Sequence, residues 1–501
     1  MVFSSVIFLF LFLPVVLAIY HLLFLPVSIG HKSSPFWRHV SNLFLLCASL
    51  LFYFWGENWL VWIVIVSTLV DYFCGLLISG AFHKGRVEQL IEHAPKTKAQ
   101  RVGLIVSICS NLAFLGFFKY FNFGIDSLNA VLPEAWRLTD VIRVTLPLGI
   151  SFYTFQSMSY TIDVYRGHVK ATRNLIDFAC YVTLFPQLVA GPIVRYCDVA
   201  RQLVHRTMNL QLFASGVNRF VLGLGKKVLI ANTVAQAADK IFALPGHELT
   251  TPLAWIGIVC YTLQIYFDFS GYSDMAIGLG RMLGFEFLEN FNYPYIARSI
   301  QAFWRRWHIS LSTWFRDYLY IPLGGSRKSG AQTIFNLITV FFLCGLWHGA
   351  SWTFVVWGLF HGFFIVIERA GLDKWLKRLP RVLQHVYTLS VVMTGWLLFT
   401  SESISQTALF LKALWGFAPS QAPLFMQEYF SMDIQLAILC GTLFSAPLLP
   451  WIQRAVSKKS DMKGVAITLD VLKVTGLALI LLFSTLSLAA GTHNPFIYFR
   501  F

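Results

Sequence analysis

Long apolar runs recur along the whole of this sequence, and they constrain its fold more than any other feature. An α-helix needs about 20 consecutive apolar residues to cross the hydrocarbon core of a bilayer. Candidate runs lie at residues 1–27, 42–55, 60–78, 102–120, 146–164, 255–279, 333–367, 386–399, 436–451 and 471–490. With 56% apolar and only 13% charged residues, the chain has too few polar side chains to coat soluble domains. The sequence therefore predicts an integral membrane protein.

The predicted secondary structure is helical, because a membrane barrel would need short alternating strands instead. We expect an all-α polytopic membrane protein of about 10–12 transmembrane helices, with additional re-entrant or interfacial helices. One irregular segment is YVTLFPQLVAGPIVRY, in which Pro186, Gly191 and Pro192 interrupt helical hydrogen bonding. No repeat or linker divides the sequence, so residues 1–501 are expected to form a single membrane domain.

The distribution of basic residues predicts the orientation in the membrane. Lys and Arg concentrate in alternate loops, at residues 84–101, 166–206, 369–381 and 454–463. The positive-inside rule places these loops in the cytoplasm and both termini on the outer side. The arginines of residues 305–327 obey this rule only if one more helix crosses at residues 220–235 and the run 333–367 folds back on itself. The net charge of +15 is thus a topological feature and does not indicate nucleic-acid binding.

The cysteines and glycines form no recognisable metal or nucleotide motif. The eight cysteines include no CxxC pair and no His/Cys spacing of a zinc site, so neither a disulfide framework nor a metal site is predicted. The glycines of GLGRMLG and GLGKK lack the spacing of a dinucleotide fingerprint or a P-loop. A nucleotide-hydrolysing enzyme is therefore not expected.

An aromatic and arginine-rich segment, FWRRWHISLSTWFRDYLYIPLGG at residues 303–325, surrounds one histidine. At 100° per residue, one side of a helix here would carry Trp304, Trp307, His308, Leu311, Phe315 and Tyr318, and another side Arg305, Ser312 and Arg316. His308 is therefore predicted to turn inward with the aromatic rings. The alternative is an amphipathic helix that Trp and Arg anchor at the lipid headgroups. Asp317 is expected to form a structural ion pair with a nearby arginine.

A second histidine, His348, lies inside the apolar run FFLCGLWHGASWTFVVWGLFHG. An ionisable side chain at such a depth is costly and marks a functional site by default. Gly345 and Gly349 would let backbone or substrate approach it closely. The alternative is a core histidine with satisfied hydrogen bonds. His361, in a similar aromatic setting, is predicted to be a packing residue.

The segment YFDFSGYSDMAIGLG places further polar groups beside a long apolar run. They are Asp268, Ser270, Ser273 and Asp274. Polar groups at membrane depth should face a water-filled cavity or each other. These four residues are therefore candidate members of a site inside the membrane.

Several of these segments together resemble the membrane-bound O-acyltransferase family, and closely its bacterial alginate O-acetyltransferase branch. The matching segments are WRRWHISLSTWFRDYLYIPLGG, GLWHGASWTFVVWG, YFDFSGYSDMAIGLG, NFNYPY, LPLGISFYTFQSMSYTIDVYRG, ATRNLIDFACYVTLFPQLVAGPIVR and NPFIYFRF. The resemblance implies helices around a central catalytic cavity, with a catalytic core near residues 145–370. It also implies that His348, in the WHG motif, is catalytic and that His308 is the second important position. Gln187 departs from the pattern, because some alginate relatives have a histidine there.

The reaction that the resemblance implies is acetyl transfer at the bacterial inner membrane. The donor would be cytoplasmic acetyl-CoA, and the final acceptor an extracytoplasmic polysaccharide such as alginate, with peptidoglycan or another cell-envelope polymer as the alternative. No permanently bound cofactor or metal is expected. A neutral His348 imidazole would act as base or nucleophile, while His308 would orient or polarise the acyl carbonyl.

The donor would be bound by charged and polar side chains around these histidines. Arg305 and Arg316 are expected to contact the phosphates of CoA, because guanidinium groups bind phosphate in two-pronged geometry. The remaining candidate substrate-binding residues are Trp304, Asp268, Ser270 and Ser273.

Two non-enzymatic alternatives and one partner follow from the same residues. The first alternative is a transporter, which would suit broken helices, although no inverted repeat is visible. The second is a non-catalytic scaffold of a polysaccharide-export complex. The outer loops carry no GxSxG elbow, so a periplasmic or membrane-anchored, esterase-like partner with its own serine is expected to receive the acetyl group. Its footprint is expected to include Phe417, Phe425 and Tyr429, unless these residues are interfacial anchors that contact only lipid.

Overall fold

The computed structural model describes residues 2–28, 35–84, 87, 89–92, 94–418, 420, 426–457, 463–491 and 493–497. Every regular element within these residues is a helix. In chain order, the α-helices are Leu13–Ser28, Pro35–Glu57, Val61–Ile78, Ala81–Lys84, Lys98–Val131, Ile150–Arg166, Leu175–Thr183, Phe185–Leu188, Tyr196–Val204, Leu210–Gly225, Asn232–Phe242, Thr251–Met282, Ile300–Trp304, Ile309–Phe315, Gly330–His348, Trp352–Ile367, Asp373–Leu376, Arg381–Thr400, Ile404–Leu414, Met426–Tyr429, Met432–Phe444, Leu448–Ser457 and Lys463–Ala489. Segments of π-helix occur at Phe8–Phe12, Lys226–Ala231, Arg316–Tyr320 and Glu368–Leu372. The all-α prediction is confirmed.

The described part of the chain contains eight helical stretches, some of which join two of these helices, that are long and apolar enough to cross a membrane. They are Phe8–Leu25, Phe36–Ile78, Lys98–Val131, Thr251–Met282, Gly330–His348, Trp352–Leu376, Arg381–Thr400 and Ile467–Ala489. Two shorter apolar helices, Ile404–Leu414 and Met432–Phe444, accompany them. The prediction of a multi-pass membrane protein is confirmed, whereas the 10–12 crossings and the position of both termini stay predictions.

The contacts within the chain define two compact units. The first unit comprises Met1–Val217 and Ala276–Leu288, and the second comprises Asn218–Met275 and Glu289–Phe501. The single membrane domain predicted from the sequence therefore stays a prediction. Both candidate histidines, His308 and His348, belong to the second unit.

Three helices of the first unit meet at a buried carboxylate. Asp71 is fully buried, and its side chain accepts hydrogen bonds from the Ser107 hydroxyl at 2.6 Å and from the Asn111 amide at 2.8 and 2.9 Å. The Ser107 hydroxyl also lies 2.7 Å from that of Thr161. Because every donor is a neutral side chain in the same interior, this network satisfies the buried carboxylate without an ion pair.

The irregular segment predicted at Pro186 to Pro192 is also in the first unit. Helix Leu175–Thr183 is followed by the short helix Phe185–Leu188, and residues 189–195 are irregular until helix Tyr196–Val204 begins. Gln187 is 1% exposed, and its side-chain amide donates to the carbonyl oxygen of Tyr181. The predicted break is confirmed, while its re-entrant course through a bilayer stays a prediction.

In the second unit, the long run at residues 333–367 forms two antiparallel helices instead of one. Helices Gly330–His348 and Trp352–Ile367 approach so closely that a Cβ atom at Gly345 would lie 2.4 Å from the Phe354 carbonyl oxygen. A Cβ atom at Gly358 would lie 2.3 Å from the carbonyl oxygen of Phe341. Small residues therefore allow backbone-to-backbone packing, as in many membrane helix pairs. The prediction that this run folds back on itself is confirmed.

The aromatic segment that contains His308 is not the single helix expected from its periodicity. Helix Ile300–Trp304 ends before it, His308 adopts the left-handed conformation (φ 43°, ψ 55°), and helix Ile309–Phe315 begins directly after it. The break arises because the Arg306 carbonyl accepts from the Asn292 N–H, and the Ile309 N–H donates to the Asn290 carbonyl, both at 2.9 Å. The predicted inward side is nevertheless buried at Trp304, Trp307, His308, Leu311 and Phe315, and half-buried at Tyr318.

Candidate active site

An apolar cavity of the second unit has His348 in its wall. Its other lining residues are Ile265, Phe269, Trp307, Trp357, Trp396, Phe399 and Ile497. The space not filled by protein atoms, including the open side, is about 280 Å³. Three of the lining residues lie beyond residue 370. The cavity therefore extends outside the catalytic core predicted from the sequence.

His348 is the last residue of helix Gly330–His348, and aromatic rings fix its orientation. Its ring centroid lies 4.9 Å from those of Trp347 and Trp357 and 5.2 Å from that of Phe399, with interplanar angles of 80°, 81° and 74°. Such edge-to-face contacts are the preferred geometry of aromatic pairs. The next residue, Gly349, admits the Phe354 ring at a distance where a Cβ atom would clash. His348 is thus buried and held at one angle in the cavity wall.

His308 is positioned by the side chain of Asn290. The Asn290 Oδ1 atom accepts hydrogen bonds from the Ser310 backbone N–H at 3.1 Å and from the Ser310 hydroxyl at 2.9 Å, and it lies 3.2 Å from His308 Nδ1. Because a backbone N–H can only donate, the atom facing it must be the amide oxygen. His308 Nδ1 must therefore carry the proton that is shared with this oxygen. In the neutral ring, Nε2 then carries the lone pair.

Burial keeps the His308 ring neutral. The side chain is fully buried, and desolvation lowers the pKa of His308 from 6.5 to about 3. The imidazole is therefore uncharged throughout the physiological pH range. Its left-handed backbone conformation is unusual for a residue other than glycine and costs about 1–2 kcal/mol. Such strain is concentrated at functional sites.

The two histidines adjoin the same wall of the cavity. The Trp347 ring lies 4.9 Å from the His348 ring and 6.0 Å from the His308 ring. Phe269, which lines the cavity, lies 4.6 Å from His308 at an interplanar angle of 90°. His308 itself is not a lining residue. The structure therefore brings both sequence-predicted histidines together, with His348 at the cavity and His308 one aromatic ring away from it.

His361 is buried and packs against the same aromatic cluster. Its ring lies 5.0 Å from Trp357 and 5.2 Å from Trp304, and a Cβ atom at Gly395 would lie 2.5 Å from its Nε2 atom. Within the described residues, neither ring nitrogen of His361 has a hydrogen-bond partner. These contacts suit the packing role predicted for His361, which stays a prediction.

The four polar residues predicted from YFDFSGYSDMAIGLG are all buried, but none lines the cavity. Asp268 forms an ion pair with Lys227, and Asp274 forms ion pairs with Arg219 and Lys226. The Ser273 hydroxyl accepts a hydrogen bond from the Asn290 side-chain amide at 3.1 Å, which places it behind the His308 network. In the part of the chain that is described, the Ser270 hydroxyl has no hydrogen-bond partner.

The predicted donor-binding residues differ in their surroundings. Arg305 is exposed, whereas Arg316 donates to the Asp317 carboxylate at 2.7 and 3.1 Å. The structural ion pair predicted for Asp317 is therefore confirmed, with Arg316 as the arginine. Trp304 is buried, with its ring centroid 5.2 Å from that of His361, and it does not line the cavity. Of these residues, Arg305 is the one whose side chain is most available to a phosphate group.

Sequence reasoning did not single out Asn290, Trp357, Phe399 or Ile497. Asn290 is the first residue of the NFNYPY segment, whose asparagines and proline indicate a turn but not a contact with a histidine eighteen residues away. The described residues contain no group of three or more His, Cys, Asp or Glu side chains that could hold a metal ion. The site offers the buried, neutral ring of His308 and the ring of His348 in the wall of an apolar cavity.

Comparison with known proteins defines the class of this fold and site. The model of MBOAT, the membrane-bound O-acyltransferase family, matches residues 24–406. The chain therefore belongs to the membrane-bound O-acyltransferase family, and it is a multi-pass membrane O-acyltransferase.

Named relatives are similar to this chain over their full lengths. It is 42% identical to a probable alginate O-acetylase, AlgI, of Azotobacter vinelandii and 44% identical to that of Pseudomonas putida, in both cases over 100% of each chain. It is 32% identical to a peptidoglycan O-acetyltransferase of Helicobacter pylori over 100% of this chain and 98% of the relative. These relatives share one kind of reaction and differ in their acceptors.

Proposed function

We propose that this chain is an acetyltransferase of the bacterial inner membrane that takes acetyl from cytoplasmic acetyl-CoA and passes it outward for O-acetylation of alginate. The observation that carries the proposal is the His348 ring in the wall of the apolar cavity, fixed there by Trp347, Trp357 and Phe399. An aromatic site that excludes water favours transfer of an acyl group to a hydroxyl over its loss by hydrolysis.

In the proposed reaction, the acetyl C–S bond breaks and a C–O bond to an acceptor hydroxyl forms. The hydroxyl proton passes to a ring nitrogen of His348 and then to the leaving thiolate, so that His348 ends neutral. A direct attack by the His348 ring on the thioester would lead to the same products through an acyl-histidine. Both routes need His348 in the cavity wall.

His308 is proposed to accept a hydrogen bond at Nε2. With the proton on Nδ1, Nε2 has a lone pair and no hydrogen, so it suits an acceptor hydroxyl or the proton released from it. The carbonyl-polarising role expected from the sequence would need a hydrogen on Nε2. We therefore favour orientation of the hydroxyl over polarisation of the carbonyl.

Binding of the acetyl-CoA donor is proposed to depend on exposed arginines. Arg305 is exposed and is proposed to bind a CoA phosphate, while Arg316 would first have to leave the Asp317 carboxylate. If the positive-inside orientation holds, both arginines face the cytoplasm, where acetyl-CoA is made available. Acetylation by acetyl-CoA supplied only to the outer face of sealed, right-side-out vesicles would refute this orientation.

The acceptor and the partner are proposed from the relatives and the outer loops. Alginate is the acceptor that two full-length relatives at 42% and 44% identity favour, and peptidoglycan is the second candidate because of the Helicobacter pylori relative. We propose that a serine-bearing partner outside the membrane receives the acetyl group. Phe417, 76% exposed, and half-buried Tyr429 are proposed contacts, whereas Phe425 lies outside the described residues.

The proposal is tested with inverted membrane vesicles from an alginate-producing host that lacks its own relative of this chain. Labelled acetyl-CoA is added, and thiol release and polymer-bound acetate are measured. His348→Ala should lower both by about 100-fold or more, which is the usual contribution of acid–base catalysis. His247→Ala, in an exposed turn, is the matched control and should behave as wild type. Normal polymer acetylation by the His348 variant would refute the assignment.

The relay to a partner needs a separate experiment. The purified chain is incubated with acetyl-CoA and alginate in liposomes, without any second protein. We expect little ester on the polymer, because the acceptor must reach the cavity through the partner. Efficient ester formation under these conditions would contradict the relay and leave the assignment of His348 intact.

A further inference from the structure

A buried ion pair in the second unit joins two residues that the proposed chemistry does not use. Lys227 Nζ lies 2.6 Å from Asp268 Oδ1, and the two side chains are only 3% and 2% exposed. Desolvation of two charges offsets most of their attraction, so a buried ion pair contributes little net stability. Lys227 also lies on the π-helical segment Lys226–Ala231, a form that occurs frequently at functional sites. Stability alone is therefore a weak explanation for this pair.

Both charges bind the backbone of one irregular segment, residues 493–497. The Lys227 ammonium donates to the Pro495 carbonyl oxygen, and Asp268 Oδ2 accepts from the Ile497 N–H at 2.8 Å. Phe496, between these two residues, has its ring centroid 5.8 Å from Lys227 Nζ, within the range of a cation–π contact. The ion pair thus fixes the segment at two backbone positions.

Helix Asn232–Phe242 fixes the beginning of the same segment. The Asn232 side-chain amide donates to Asn494 Oδ1 at 3.0 Å, and Asp239 Oδ2 lies 2.8 Å from His493 Nε2. Asn232 and Asp239 are two helical turns apart and share one face of the helix. The segment is therefore anchored along its length by side chains, without regular secondary structure over residues 493–496.

The end of this anchored segment reaches the cavity. Ile497 is 3% exposed and lines the cavity wall together with His348. Its backbone N–H is the group that Asp268 binds. The position of Ile497 therefore depends directly on the carboxylate of Asp268, and the position of that carboxylate depends on its ion pair with Lys227.

We propose that Lys227 and Asp268 are positioning residues for acyl transfer, because their ion pair holds residues 493–497 so that Ile497 closes the wall of the His348 cavity. This inference rests on the proposed role of His348. It also gives Asp268 a function other than the substrate contact expected from the sequence. Without the ion pair, Ile497 leaves the wall, water enters, and the acetyl thioester is hydrolysed instead of transferred.

The test compares three changes in the inverted-vesicle assay with labelled acetyl-CoA. The double variant Lys227→Met with Asp268→Leu removes both charges at once, so that no unpaired charge is left in the interior. Lys227→Arg is the conservative change. Lys226→Met is the matched control, since Lys226 pairs with Asp274 at 2.6 Å and, within the described residues, forms no hydrogen bond or ion pair with residues 493–497.

The expected readout is the ratio of free acetate to polymer-bound acetate. The double variant should transfer acetyl about 10–100-fold more slowly, as small misplacements near a reacting centre do, with a raised ratio and an unchanged KM for acetyl-CoA. Lys227→Arg should restore most of the transfer, and Lys226→Met should match wild type. A folded double variant with wild-type transfer and ratio would overturn the positioning role.

A second comparison shows whether the ion pair acts through Ile497. Ile497→Ala alone should raise the same ratio, and adding the double change should cause no further loss, because coupled residues are not additive. An unchanged ratio in Ile497→Ala would overturn the inference even if the double variant failed to fold, and fully additive losses would overturn it where that variant folds. His348→Ala is assayed in parallel: its activity would refute the proposed function, whereas an inactive His348 variant beside an active double variant overturns only the positioning role.

Discussion

Asn290 Oδ1 lies 3.2 Å from His308 Nδ1, and the same oxygen accepts hydrogen bonds from the backbone and the side chain of Ser310. Asn290 is fully buried, and its amide nitrogen donates to the Ser273 hydroxyl. One asparagine thereby sets the tautomer of His308 and closes the turn that begins helix Ile309–Phe315. The protonation pattern of the site follows from this amide.

Asn290→Ala should allow the neutral His308 ring to adopt either tautomer. The change leaves the Ser310 N–H and His308 Nδ1 without their shared acceptor, which costs about 1–3 kcal/mol of folding stability. We expect kcat for thiol release to fall about tenfold or more, because the ring is no longer held in one tautomer and one orientation. Asn292→Ala, at an exposed position two residues away, is the control. Equal kinetics for the two variants would contradict the assigned tautomer.

The low pKa of His308 predicts a specific pH dependence of stability. Burial lowers the pKa of His308 from 6.5 to about 3, so protonation favours the unfolded chain. The stability that the neutral ring contributes is complete above pH 6.5 and is lost progressively as the pH falls from 6.5 toward 3. The thermal unfolding midpoint of the wild type should therefore decrease more steeply between pH 6.5 and 5 than that of His308→Gln. Parallel curves would show that His308 is not desolvated.

His361→Ala tests whether buried histidines in this aromatic cluster are equivalent. His361 fills the space against Gly395 and contacts Trp304 and Trp357, so truncation should lower the free energy of unfolding by about 1–3 kcal/mol. Since it does not line the cavity, kcat per folded molecule should remain within about twofold of wild type. The measurement is thiol release normalised to the folded fraction. A stable but inactive His361 variant would indicate that His361 has a catalytic role and would contradict its assignment as a packing residue.

The sequence predicted the helices and the buried side of the His308 segment, but not the turn that places the histidine. Burial of Trp307 and Leu311 follows from apolarity and spacing, which survive a local break in the helix. The break itself depends on backbone hydrogen bonds to Asn290 and Asn292, and no periodicity encodes those partners. Ile497 was missed for the same reason, because its place beside His348 depends on Asp268, 229 residues away.

Arg305 and Arg316 should differ as ligands of the donor. Arg305→Glu is expected to raise the KM for acetyl-CoA and to make binding less sensitive to salt, because an attraction between exposed opposite charges is lost. Arg316→Glu should also disturb its pair with Asp317, so part of its effect should appear as lost stability. Arg327→Glu, in the following exposed turn, is the control for net charge. A KM effect as large in Arg327→Glu would reduce the role of Arg305 to long-range electrostatics.

The close contact at Gly358 between helices Gly330–His348 and Trp352–Ile367 should control both folding and activity. A Cβ atom at Gly358 would lie 2.3 Å from the Phe341 carbonyl oxygen, so Gly358→Ala must push helices Gly330–His348 and Trp352–Ile367 apart. Overpacking of this kind costs about 1–3 kcal/mol. It also moves Trp357, the neighbour of Gly358, which contacts His348 at 4.9 Å.

We therefore expect Gly358→Ala to lower the unfolding midpoint and, at a temperature where the variant is folded, to lower kcat as well. The matched control is Gly116→Ala, in helix Lys98–Val131, where an added Cβ atom meets nothing within 4 Å. Alanine favours a helix by about 1 kcal/mol over glycine, so this control should be neutral or slightly stabilised with unchanged kcat. If Gly358→Ala lost stability but kept full kcat when folded, the separation of these two helices would not set the position of the His348 ring.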